Sequence, residues 1–488
     1  MSLKKQVVSG SFWTTISFSV QSVVQILRLS ILTRFLEKSD FGLVAIVSIV
    51  IGFTHIFADL GVSVSLYSRK LISKKEYSSL YWVALILGLF LYCILCLLAP
   101  FISRFYYMPE LKILIPVMGI DLVIVTAGRQ FRIFREKSLK FKSLAIIDII
   151  GSVSSILIAI WVALKGGGVW SIVFSALFAS FISSALLIIM GLRSHPLLLF
   201  ISLKEGSAFY KIGLYQTGSQ ILDYFASQLD LIIIGKVMTA SDLGVYNLIK
   251  QLVLKIYGMV NPIISKVAIP VLATLNDNVA LLKERYLQMI KISSFVNLAI
   301  YGATALLSKE IIAILYGQSY IDSYFILQIL CIWGGIISIM SIASSIIIVT
   351  GKTNVGFRWT LIRVIANPLF ILAGFQFGLI GIVISQSLYA LFFYAIYWKL
   401  VINKILKLLK FNEYFLGFLR FFLSALLLFL VITVLKKFTT NYINYSWVNL
   451  ILYGLVYLIG YLILNNSVWQ QFMVYIIKPK VTRKIMSP

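Results

Sequence analysis

Acidic side chains are scarce in this chain. Its 488 residues hold 17 Asp and Glu against 43 Lys and Arg, a formal net charge of +26. Charged residues of both signs reach only 12%, about half the usual share of roughly 25% in soluble domains. Histidine is reduced to two residues, His55 and His195, on different segments. No His/Cys cluster with metal-ligand spacing can be drawn from them. The three cysteines, Cys93, Cys96 and Cys331, all sit inside apolar runs. Cys93 and Cys96 form a C-x-x-C, but one buried at lipid depth reads as two small hydrophobes rather than a redox or zinc pair. No Gly-x-Ser-x-Gly and no Walker motif occurs. The Gly166-Gly-Gly168 run lacks the Gly-Lys-Ser/Thr context of a phosphate-cradling loop and reads as a tight turn. These absences point away from an enzyme and from any cofactor. Without an ATPase site, work must draw on an ion gradient or on removal of product.

What the chain has instead is hydrocarbon. Hydrophobic residues make up 60% of it and mean hydropathy is +0.98. A bilayer core of about 30 Å needs roughly 20 apolar residues per helix. Such runs occur at 11–36, 41–66, 79–103, 112–131, 143–164, 169–192, 208–235, 242–270, 286–308, 321–350, 354–375, 377–398, 414–435 and 446–477. The first is too long for a signal-peptide h-region and reads as the first span. The expected fold is all-α: a polytopic membrane protein of about 14 transmembrane helices.

Cations collect in every second gap. Arg69, Lys70, Arg132, Arg135, Lys137, Lys140, Arg193, Lys283, Lys399 and Lys404 belong to that set, and both tails match it. The alternate gaps hold few, among them Lys38, Arg104, Lys112, Lys165 and Lys236. The positive-inside rule puts both termini in the cytoplasm. The net charge therefore reports orientation and attraction to anionic lipids. It does not indicate nucleic-acid binding, since no groove-reading module is present.

A repeat is visible. Ser39-Asp-Phe-Gly42 between spans 1 and 2 returns as Ser241-Asp-Leu-Gly244 between spans 7 and 8. The offset covers six helices, an even number, so both halves enter the membrane in the same direction. This implies two six-helix bundles in a parallel pseudo-two-fold repeat, at 1–200 and 201–400, with two additional helices and a basic tail at 401–488. Repeats of this kind bind substrate between their halves. Ser39 or Asp40 can cap the incoming helix.

Ionisable residues at membrane depth cost about 2.5–3.5 kcal/mol on insertion scales and usually face a cavity or a partner. Span 1 carries Gln21, Gln25 and Arg28 on one face, and span 7 carries Asp223, Ser227 and Asp230 on the equivalent face. Arg28 sits about 12 Å from the outer end of span 1. Lys250 and Lys255 lie on span 8. These three cations are the leading substrate candidates, since a bidentate Arg fork and Lys point charges both suit a dehydrated anion. Arg28 and Asp230 could instead pair structurally. Arg34 and Lys236 lie near the outer interface and can snorkel. His55, Asp59 and Arg363 are further candidates for cavity or gating roles. His55 can equally be a satisfied core residue. Arg363 precedes Asn367-Pro368, a possible kink.

The segments Asp40-Phe-Gly-Leu-Val, Ile56-Phe-Ala-Asp-Leu-Gly61, Gln228-Leu-Asp-Leu-Ile-Ile-Ile-Gly235, Leu243-Gly-Val-Tyr246 and Ile269-Pro-Val-Leu272 together resemble Wzx-type polysaccharide exporters, in the colanic-acid-exporter-like branch of the multidrug/oligosaccharidyl-lipid/polysaccharide flippase superfamily. The resemblance covers roughly residues 1–400. It implies a V-shaped pair of six-helix bundles around a central cavity in the bacterial inner membrane. It implies export of an undecaprenyl-diphosphate-linked oligosaccharide for O-antigen, capsule or exopolysaccharide synthesis. It also implies a polysaccharide polymerase and other assembly proteins as partners. Related lipid II flippases carry cavity Arg on their first, second and eighth helices. Here spans 1 and 8 supply Arg28, Arg34, Lys250 and Lys255, whereas span 2 has His55 and Asp59 and no Arg. The alternative within the superfamily is a multidrug/cation antiporter, which favours a carboxylate-rich cavity. A membrane glycosyltransferase would need larger outer loops.

Overall fold

The computed structural model describes residues 3–59, 66–67, 72–275, 278–407, 409–439 and 446–470, which form helices and short connections and no strand. The first eight helices are α1 (Leu3–Leu32), α2 (Lys38–Asp59), α3 (Lys74–Tyr106), α4 (Leu111–Lys137), α5 (Phe141–Leu164), α6 (Trp170–Leu192), α7 (Leu203–Val237) and α8 (Ala240–Ala273). They are followed by α9 (Val279–Leu306), α10 (Ser308–Leu315), α11 (Tyr324–Met340), α12 (Ile342–Val349), α13 (Thr353–Phe375), α14 (Gly378–Tyr397), α15 (Phe411–Thr439) and α16 (Ser446–Leu464). Among the described residues, 13 helical stretches are long and apolar enough to cross a membrane. α7 covers the remaining expected span.

Two expected spans differ in detail. The tenth is interrupted: α11 ends at Ser341, whose hydroxyl donates to the Ser338 carbonyl at 2.7 Å, and α12 restarts beyond it. The last is interrupted after Leu464, where the side-chain amide of buried Asn465 donates to the Tyr461 carbonyl at 3.0 Å, and helical residues resume at 466–470. The basic tail lies outside the described residues.

Contacts divide the chain into Met1–Leu248 and Ile249–Pro488. In the first unit α5 packs on α1 and α6, α4 on α3 and α6, and α2 on α3, α4 and α7. In the second, α9 is central, packing on α11, α15 and α16. α16 shows how a lipid-solvated helix is sorted. Tyr453, Tyr457 and Tyr461 recur every four residues on the buried face, and Leu455, Ile459 and Ile463 are exposed. The buried hydroxyls are satisfied: Tyr461 donates to the Phe295 carbonyl at 3.1 Å and Tyr457 to that of Leu298 at 3.4 Å. Lipid is as apolar as leucine, so polar satisfaction and close packing select the inner face.

The Ser-Asp-x-Gly repeat does two jobs. Each Asp stands three residues after its helix cap. Asp40 accepts the Glu37 backbone N–H at 3.1 Å. Asp242 accepts the Thr239 hydroxyl at 2.7 Å, and that hydroxyl in turn receives the Asp242 N–H at 3.1 Å. The expected cap is therefore present, with the carboxylate acting from inside the first turn. The glycines do something else. A Cβ on Gly42 would overlap the Ala240 carbonyl, and one on Gly244 would overlap the Lys38 carbonyl. The starts of α2 and α8 thus cross backbone on backbone, reciprocally.

The segment 193–202, between α6 and α7, is laced to α3. Tyr77 donates to the Pro196 carbonyl at 2.5 Å, Trp82 to that of Leu198 at 2.8 Å and Ser79 to that of Ser202 at 2.9 Å. His195 stacks on Phe134 with ring centroids 4.6 Å apart. Burial, and then the nearby Lys140 and Arg135, push its pKa below the ordinary 6.5.

Two outcomes are expected. Gly244→Ala and Gly42→Ala should each destabilise the protein by about 1–3 kcal/mol through overpacking. Gly218→Ala meets nothing within 4 Å and should stabilise it by roughly 0.5–1 kcal/mol. Thermal unfolding of the purified proteins reads both. For His195, the unfolded chain takes up a proton near pH 6.5 that the folded ring resists. Stability should therefore fall as pH drops below about 6.5. His195→Phe keeps the stack, and its melting temperature should fall less between pH 7.5 and pH 5.5.

Candidate functional site

Arg28 projects from α1 toward α6. Its Nη1 donates to the Ser175 hydroxyl at 3.4 Å, a long hydrogen bond, while its buried Nε has no partner. Ser175 is itself fully buried and donates to the Ile172 carbonyl at 2.9 Å. A guanidinium carries five N–H donors, so this charge is poorly satisfied where it sits. Along the same face Gln21 donates to the Ser17 hydroxyl at 2.9 Å, and Gln25 is half-buried.

The stripe on α7 divides. Asp223 and Ser227 are exposed, whereas Asp230 is 4% exposed and accepts a 2.6 Å hydrogen bond from the Tyr246 hydroxyl on α8. Tyr246 belongs to the Leu-Gly-Val-Tyr segment that follows the second repeat motif. Its role as a partner for Asp230 was not visible in the sequence. Further along α8, Lys250 is 4% exposed and Lys255 is half-buried. Arg34 lies just past the end of α1 and is exposed, as an interfacial cation would be.

His55 on α2 meets Asp121 on α4, with Nε2 and Oδ2 3.0 Å apart and both side chains largely buried. Either residue alone at that depth would be costly; together they share the burden. Asp59 closes α2, and its side chain lies outside the described residues. Arg363, half-buried on α13, stands beside Tyr389 and Tyr397 of α14. Asn367, four residues on, accepts from the buried Gln386 amide at 2.9 Å. The helix continues through Pro368 to Phe375.

Further ion pairs among the described residues were not visible in the sequence. Arg132 forms a two-pronged bond to Asp148, at 2.9 and 2.6 Å. Lys436 reaches Glu310 on α10 at 2.9 Å and the Leu306 carbonyl at 2.9 Å. Lys283 meets Glu413 at 2.8 Å. The available signal was the scarcity of carboxylates: at the ends of apolar helices each one needs a cation. Among the described residues no group of three or more His, Cys, Asp or Glu could hold a metal ion.

Comparison with known proteins agrees with this architecture. The chain is 26% identical over 378 residues to the teichuronic acid biosynthesis protein TuaB of Bacillus subtilis (strain 168), covering 77% of this chain and 78% of that one. It is 22% identical over 390 residues to the lipopolysaccharide biosynthesis protein WzxC of Escherichia coli (strain K12), covering 79% and 78%. Its fold is similar to that of the lipid II flippase MurJ in an inward closed conformation, with a TM-score of 0.75 at 17% identity over 96% of this chain and 100% of that one. A model of the family described as polysaccharide biosynthesis protein matches residues 31–325, more than half of the chain, and the chain belongs to that family.

Proposed function

We propose that this protein translocates a polyprenyl-diphosphate-linked oligosaccharide across the bacterial inner membrane by alternating access, with both termini in the cytoplasm. The observation that carries the reading is Arg28, a membrane-depth guanidinium with one long hydrogen bond and an unpartnered Nε. Such a group is expensive to keep and gains most from a diphosphate, which accepts charge-assisted, two-pronged hydrogen bonds. Lys250 and Lys255 are the further cations proposed to contact the headgroup. His55, Asp59, Asp230, Arg34, Arg363 and Gln25 are assigned to cavity or gating roles. A shared fold with a lipid II flippase and relatives named for lipopolysaccharide and teichuronic acid biosynthesis support a glycolipid cargo. A polysaccharide polymerase and other assembly proteins are the natural acceptors of the product, and anionic lipids the natural companions of the basic inner face.

The test is headgroup translocation in vesicles reconstituted with a lipid-diphosphate oligosaccharide. Arg28→Ala should lower the rate by about tenfold or more, the loss of a charge-assisted hydrogen bond worth about 1.5–3 kcal/mol. Arg28→Lys should recover part of it. Wild-type rates in both Arg28→Ala and Lys255→Ala would remove the site assignment. Movement of cationic dyes with none of the glycolipid would favour the antiporter reading instead.

A further inference from the structure

Four connections of the first unit meet at one end: those from α1 to α2, α3 to α4, α5 to α6 and α7 to α8. They are the cation-poor gaps of the sequence, which the transport reading puts on the outer face. Between them lies a cavity of about 590 Å³ whose lining includes Glu37, Asp40, Tyr106, Tyr107, Glu110 and Lys236. That volume falls within the range of small-ligand sites, about 300–1,000 Å³.

Tyr107 is the unusual member. It caps α3 in the left-handed conformation, at φ 57° and ψ 35°, a region that bulky residues rarely adopt. The turn that holds it is well bonded: the Met108 N–H donates to the Ser103 carbonyl at 3.1 Å, and the Ser103 hydroxyl donates to the Met108 carbonyl at 2.8 Å. Glycine or asparagine would fit this geometry without strain. Instead a tyrosine stands there with its side chain 80% exposed. Backbone strain that displays a ring rather than burying it is a mark of function rather than of packing.

The charges around the ring narrow the ligand. Lys236 is committed, donating to the Phe105 carbonyl at 2.5 Å and lying 4.0 Å from the centre of the Tyr107 ring. Three carboxylates, Glu37, Asp40 and Glu110, outnumber it, so the lining repels phosphate. The carboxylates are spread around the cavity and form no metal-binding group among the described residues. Carboxylates that accept from several directions, beside an aromatic face, match a ligand with many hydroxyls and an apolar C–H face.

We propose that this cavity is a carbohydrate subsite, binding a neutral or amino-substituted sugar ring against Tyr107, with Glu37 and Glu110 accepting its hydroxyl or ammonium protons. The assignment rests on the glycolipid reading and deepens it. The sugar and the diphosphate are recognised by different parts of the protein, one acidic and aromatic, the other cationic. The same chemistry would also take a free sugar.

The probes are free glucose, free glucosamine and free glucuronic acid, added to the full-length protein in lipid nanodiscs and followed by saturation-transfer NMR, with inorganic phosphate as a competitor. Glucose and glucosamine should receive saturation; glucuronic acid should bind more weakly than glucosamine, and added phosphate should leave the glucosamine signal unchanged. Tyr107→Asn keeps the left-handed turn and removes the ring. It should weaken sugar binding by about tenfold, as should the double variant Glu37→Gln, Glu110→Gln. No transfer to either neutral or amino sugar, or binding unchanged in both variants, overturns the proposal. Glycolipid translocation is measured separately on the same preparations. Translocation without sugar binding sinks the subsite alone. Sugar binding that depends on Tyr107, with no translocation, sinks the transport reading alone.

Discussion

Hydrocarbon offers no hydrogen bonds, and the architecture follows from that constraint. Every polar side chain carried into the apolar layer must find its partner in the protein. The tyrosine ladder of α16 ends on carbonyls of α9. His55 is set against Asp121, and Lys436 against Glu310. Each contact fixes one helix against another at a chosen height and rotation, which apolar packing against lipid cannot do alone. Arg28 departs from the pattern. Its Nη1 makes one long bond to Ser175 and its buried Nε has no partner, a deficit that a bound anion would relieve.

The helices were legible because membrane thickness imposes a length and a composition on each of them. The alternation of cations between the gaps was legible for a related reason, and the proposed orientation rests on it. The pairings were not. His55 and Asp121 are 66 residues apart, and nothing in either local sequence says that α2 lies against α4. Asp230 invited comparison with Arg28 through the repeat, yet its observed partner is Tyr246, fixed by how α7 turns into α8. The break at Ser341 was hidden because serine is common in continuous membrane helices; it shows in the backbone, where the Ser344 N–H donates to the Ser341 carbonyl at 3.0 Å. The cavity beside Tyr107 was hidden for a different reason. It is made by four turns far apart in the chain, and a left-handed tyrosine has no sequence signature.

The segment between the sixth and seventh helices connects the two repeats of the sequence, yet its structure is not that of a loose tether. Tyr77, Ser79 and Trp82 take up its carbonyls one after another, and His195 is stacked on Phe134. The link is therefore a fixed part of the first unit, and its ionisation state is tied to the stability of that unit.

The crossing of α2 and α8 carries a consequence for how the sequence can change. Gly42 is confined by the backbone at Ala240, and Gly244 by the backbone at Lys38. Each glycine occupies the position, relative to its own motif, that the other occupies relative to its own. Neither can gain a side chain while the opposite backbone stays in place, and moving that backbone disturbs the other glycine as well. In genetic terms, two codons 202 positions apart answer to a single constraint and drift, or fail to drift, as one locus.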